Sequence, residues 1–100
     1  MKKTTLHFYT DPGHGWLKVP KNHPAFKVIA SRISDYSYER GNFVYLEEDC
    51  DASLFLQVLH NCKIELVVHS HHSDKRSRIR GYNRFYYTFA MSHSKNYGKE

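Results

Sequence analysis

Cysteine, proline and tryptophan are scarce in this 100-residue chain, with two, three and one copies. No apolar run approaches the roughly 20 residues that a bilayer-spanning helix needs. The opening "MKKTTLHFYT" also lacks the apolar core of roughly 7 to 15 residues that marks a secretory leader. A cytoplasmic protein with no membrane association is therefore expected. Cys50 and Cys62 fall at opposite ends of one expected helix, whereas a disulfide requires Cα atoms within about 7 Å, so both read as reduced thiols. Cys50 has no Cys-x-x-Cys partner, which leaves a redox or nucleophilic role with little support. There is no internal repeat or low-complexity segment, and the length is that of one small domain, too short for the scaffolds of most large enzyme classes.

What the chain does have is rings and positive charge. Aromatics make up 15% of the residues and eight of them are tyrosines, side chains suited either to a small core short of aliphatics or to a surface that stacks and hydrogen-bonds at once. The formal charge is +5, and its placement is uneven. Up to Cys62 the cations and carboxylates balance, so the whole surplus lies in Lys63 to Glu100. That asymmetry points to nucleic acid or an acidic partner for the C-terminal part.

The patterning predicts an α+β fold, a single domain over residues 1–91 with a frayed tail over 92–100. The predicted order is β-β-α-β-β-α-β(-β), with two helices on an antiparallel or mixed sheet. "TTLHFYT" and "GWLKV" alternate as strands around the turn residues Asp11, Pro12 and Gly13. Here Gly13 and Gly15 are expected to supply positive φ and Trp16 to pack inward. "NHPAFKVIASRIS" places Phe26, Ile29, Ala30 and Ile33 at helical spacing behind a candidate cap at Asn22. "YSYERGNFVYLEE" reads as a hairpin turning at Arg40-Gly41-Asn42. "DCDASLFLQVLHNCK" is a second helix, with Asp49 or Asp51 as its cap and Leu54, Phe55, Val58, Leu59 and Cys62 on one face. "KIELVVHS" reads as a buried strand and "NRFYYTFAM" as a last one.

Three constellations could carry chemistry. In "VVHSHHSD", His69 and His71 of an extended arm face one way, the geometry of a two-imidazole metal clip, with His72 beside them. The segment falls short of the H-x-H-x-D-H pattern of metallo-β-lactamase-like hydrolases, since Ser73 and Asp74 replace its Asp and last His. It also falls short of the H-S-H-P pattern of zinc deubiquitinases, since His72 replaces Pro. The bland reading is a solvated, pH-sensitive strand end. His14 with one of these histidines could form an acid–base pair for RNA cleavage. "EEDCD" could bind Mg²⁺, although carboxylates before a helix N-terminus are explained by capping and the helix dipole.

The third constellation, "DKRSRIRGYNRFYY", says most about function. Lys75, Arg76, Arg78, Arg80 and Arg84 alternate with Tyr82, Phe85, Tyr86 and Tyr87, offering cations to phosphates and rings to bases. On an extended strand Arg76, Arg78 and Arg80 would all aim one way. An arginine stripe equally suits an acidic protein surface, or internal pairing with Glu47, Glu48, Asp49 and Asp51.

Together "DPGHGWLKV", "YSYERG", "YLEEDCD" and "SRIRGY", spanning Phe8 to Tyr87, resemble a family of small proteins of bacteriophages and other mobile elements. The resemblance implies no activity, cofactor or catalytic residue. It implies a phage-type accessory protein that acts by binding. The expected function is non-enzymatic and cofactor-free, with Lys75, Arg76, Arg78, Arg80, Tyr82 and Arg84 set against nucleic acid or an acidic host protein of defence or transcription. The alternative is a small nuclease or metal-dependent hydrolase using His14, His69 and His71, with His69, His71 and His72 as metal ligands.

Overall fold

Strand alternation sorts the side chains onto two faces of one sheet, and the two faces have different fates. The computed structural model describes residues 2–87. Strands β1 (Lys2–Thr10), β2 (Gly15–Pro20), β3 (Tyr38–Arg40), β4 (Phe43–Glu47), β5 (Ile64–His72) and β6 (Asn83–Arg84) are joined by helices α1 (Pro24–Ile29) and α2 (Ala52–Asn61). The class and element order are those expected. The sheet runs β5-β1-β2-β4-β3-β6 and is antiparallel except where β1 meets β5. Leu6, Leu17, Val19, Val44 and Leu46 meet Phe26, Ile29, Phe55 and Leu59 of the helices in the main core. On the opposite face Trp16, Tyr38 and Tyr45 form a smaller cluster under Ile79, which the 3₁₀ turn Arg78–Gly81 lowers onto the sheet.

Several local expectations are corrected. α1 is capped by His23 rather than Asn22: its Nδ1 accepts the Ala25 N–H, and its Nε2 lies 3.0 Å from Thr4 Oγ1. The helix stops at Ile29 and tightens into a 3₁₀ turn, Ala30–Arg32, before Ile33 enters the core in extended conformation. Asp51 occupies the cap position of α2 but turns its buried carboxylate away, toward the Ser34 N–H and the Ser34 and Ser37 hydroxyls. That choice ties the loop before β3 to the start of α2. Gly41, at φ +57°, supplies the left-handed residue of the β3–β4 turn. Cys62 is exposed at the end of α2, and Cys50 is exposed before its start; both are free thiols. β5 is an edge strand whose Ile64 and Leu66 are half-buried, while everything from Val68 to His72 is exposed. Of the expected last strand, two residues pair with β3 as β6; residues 88–91 and the expected tail 92–100 lie outside the described residues.

The His23 cap carries a pH signature. An imidazole whose Nδ1 accepts a hydrogen bond must be neutral, and burial lowers its pKa from the ordinary histidine value. The unfolded chain therefore binds the proton more readily, and stability falls as pH drops below the ordinary value of about 6.5. Thermal unfolding followed from pH 7.5 to 5.5 should show a larger loss of Tm in the wild type than in His23→Asn, which keeps a cap and removes the titrating ring.

Candidate nucleic-acid interface

The "DPGHGW" turn is built around one buried carboxylate. Asp11 Oδ1 accepts the Gly13 and His14 N–H groups at 2.9 and 3.0 Å, and Oδ2 accepts that of Ser77 at 2.9 Å. Arg80 closes the arrangement with a two-pronged pair, Nε to Oδ2 at 2.6 Å and Nη2 to Oδ1 at 2.9 Å. The Arg80 guanidinium, with help from these N–H groups and against the opposing effect of burial, holds the Asp11 carboxyl far below the usual carboxylate range. Neither Gly13 nor Gly15 has positive φ, contrary to expectation. Gly13 is needed for space, since a Cβ there would stand 2.7 Å from Arg80 Nη2. Arg80 also lies over the Trp16 ring, 5.4 Å from its centroid. It is thus a fixture of the fold that pins the Ser77–Tyr82 segment across the open sheet face.

That pinning leaves a groove of about 840 Å³ along one side of the segment. Tyr9, Tyr45 and Tyr82 supply its rings, and Lys18, Lys75, Arg76 and Arg78 supply its charge; none of its lining residues is acidic. Tyr45 and Tyr82 stand 5.1 Å apart, and Arg40 sits 5.1 Å from the Tyr82 centroid. Burial, then the neighbouring Tyr82 and Tyr9, push the Tyr45 phenol above its usual pKa, so it stays protonated and able to donate. Lys18 Nζ rests 4.3 Å from the Phe43 ring centroid, which holds its charge at the mouth of the tyrosine cluster.

The predicted basic residues divide between two sites. Lys75, Arg76, Arg78 and Tyr82 line the groove, whereas Arg80 and Arg84 line a separate cavity of about 480 Å³ with His14, Trp16 and Glu47. The three arginines do not share one strand face, because Arg78–Gly81 is a 3₁₀ turn. Arg84 donates to the Asp35 carbonyl and lies 5.0 Å from the Tyr38 ring centroid. Among the described residues, the arginine-rich stretch forms its ion pair with Asp11 and not with the Glu47–Asp51 carboxylates.

The histidines also separate. His69 and His71 share the open face as expected, and the parallel register adds His7, opposite His69. His7 Nδ1 lies 2.9 Å from His71 Nε2, and His71 stacks on Tyr9 at 4.8 Å between centroids, which continues the groove's ring surface to the sheet edge. His72 turns to the other face, toward Thr10 and Asp74. His14 packs instead against Trp16 and faces Glu47. Sequence reading missed His7, Tyr9, Lys18 and Tyr45 as site residues. Their signal was alternation within β1, β2 and β4, which sets a common face once the strand order is known.

The fold and groove define a small α+β protein with a basic, tyrosine-lined surface on the uncovered side of its sheet. The chain matches no protein-family model, no curated protein and no solved structure. Among the described residues no helix is long and apolar enough to cross a membrane.

Proposed function

We propose that this chain acts by binding and that its ligand is single-stranded nucleic acid lying in the groove beside Ser77–Tyr82. The observation that carries the reading is the joint lining of that groove, three tyrosines among four cations with no carboxylate. Unpaired bases stack on aromatic rings whatever their identity, and the phosphates between them need cations at the rim. A duplex keeps its bases stacked internally and would leave the tyrosines unused. The motif resemblance to small phage proteins supports an accessory role in an infected cell, and nothing in the reading requires a cofactor.

The test is binding of purified protein to labelled single-stranded DNA, single-stranded RNA and duplex across a salt series, with substrate integrity checked. The expected result is preference for single strands without cleavage, and a log-log salt slope between about −2 and −3 for three or four neutralised phosphates. Absence of binding at low salt would overturn the reading and turn attention to an acidic host protein as the target.

A further inference from the structure

The cavity on the other side of the Ser77–Tyr82 segment has a different chemistry. His14, Glu47 and Asp49 each bring one ligand-capable atom, all within 4.8 Å of one another. Glu47 is buried and aimed: its Oε1 accepts the N–H groups of Asp49 and Cys50, which leaves Oε2 facing His14 Nδ1 at 3.8 Å. That separation is too long for a hydrogen bond. Two donor atoms sharing one ion at bonds of roughly 2.1 Å stand at most about 4.2 Å apart, so this pair can share an ion, while the 4.8 Å spread of the full set requires an exposed side chain to shift on binding. Packing against Trp16, at 6.1 Å between centroids, orients the imidazole. The Trp16 indole N–H, buried on the wall of the same cavity, has no hydrogen-bond partner. Cys50 also lines the cavity.

We propose that His14, Glu47 and Asp49 form a binding site for a first-row divalent metal ion, one imidazole nitrogen and two carboxylate oxygens with open coordination positions toward the cavity. Such a mixed donor set suits Mn²⁺, Co²⁺ or Zn²⁺ better than Mg²⁺, which prefers oxygen alone. Arg84 lines the same cavity, with one guanidinium nitrogen committed to the Asp35 carbonyl. The site is independent of the groove reading, because it uses none of the groove's residues.

Trp16 is the chain's only tryptophan and lies against His14, so its fluorescence reports on this cavity. Co²⁺ is the probe, titrated into the full chain and followed by quenching of Trp16 and by visible absorption, with Zn²⁺ as competitor. The expected result is saturable quenching at one equivalent, weakened at least ~10-fold by His14→Ala and by Asp49→Ala. Both variants alter exposed residues, and circular dichroism checks that each is folded. His71→Ala, which touches the other imidazole cluster, should leave the titration unchanged. Absence of saturable quenching overturns the site, as does quenching that survives His14→Ala or that disappears in His71→Ala.

Discussion

Asp11→Ala is expected to remove about 3–5 kcal/mol of folding stability, the range seen when one partner of a buried ion pair is deleted. The carboxylate is 1% exposed and accepts five hydrogen bonds from four residues: the Gly13, His14 and Ser77 amides and the Nε and Nη2 of Arg80. Its removal strands all of them and frees the segment that shapes both the groove and the cavity. Urea denaturation of wild type, Asp11→Ala, Arg80→Ala and the double variant measures the loss and the coupling between the partners; strictly additive losses would show that the pair is not a unit. The pair also has a pH sign. A carboxyl whose folded pKa is depressed contributes its full stability above the unfolded value of about 3.9, and that contribution fades as pH falls below it. The wild type should therefore lose stability below about pH 4 more steeply than Asp11→Asn.

Joint replacement of Arg76 and Arg78 by alanine is expected to weaken single-strand binding by ~10- to 100-fold at low salt and to flatten the salt slope by about 1.4, the share of two phosphates on a single strand. Arg76 and Arg78 line the groove and hold no ion pair among the described residues, so the fold should stay intact. Arg80 does not belong in that experiment. Its guanidinium is committed to Asp11, and a binding defect in Arg80→Ala would report a disordered segment instead of a lost phosphate contact. Filter binding or fluorescence anisotropy on the double variant, with Tyr82→Ala as the stacking counterpart, separates the two contributions. Unchanged affinity in the arginine pair would remove the groove from consideration.

The elements that short-range patterning controls were legible. The β1 and β2 alternation, the Gly41 turn and the Phe55–Leu59 stripe of α2 all appear where periodicity places them. Choices between equivalent local options were not. Asn22 and His23 could each cap α1, and the imidazole won because its second nitrogen also reaches Thr4. Asp51 could cap α2, and two serines outcompeted the helix amides for its oxygens. Least legible were long-range partners. Nothing local in "DPGHGW" names Arg80, and nothing in "VVHSHH" names His7, because strand order and parallel register are decided by the packing of the whole sheet. The six residues expected to act together accordingly divide in space: Lys75, Arg76, Arg78 and Tyr82 line the groove, while Arg80 and Arg84 line the cavity.

The parallel pairing of β1 with β5 also bears on how the chain reaches this structure. Lys2 pairs with Ile64 and Thr10 with His72, so an interior strand of the sheet takes its second neighbour from far downstream in the sequence. During synthesis β1 and β2 emerge early and can zip together at once, but the other edge of β1 stays open until α2 has formed and β5 has left the ribosome. Contacts of such sequence separation close slowly, because the loop entropy is spent before they form. A nascent chain halted before Ile64 would carry an unpaired β1 edge, the kind of surface that recruits other strands. Refolding should therefore be limited by docking of β5, and variants that weaken the Leu66–Val68 stretch should slow folding more than they speed unfolding.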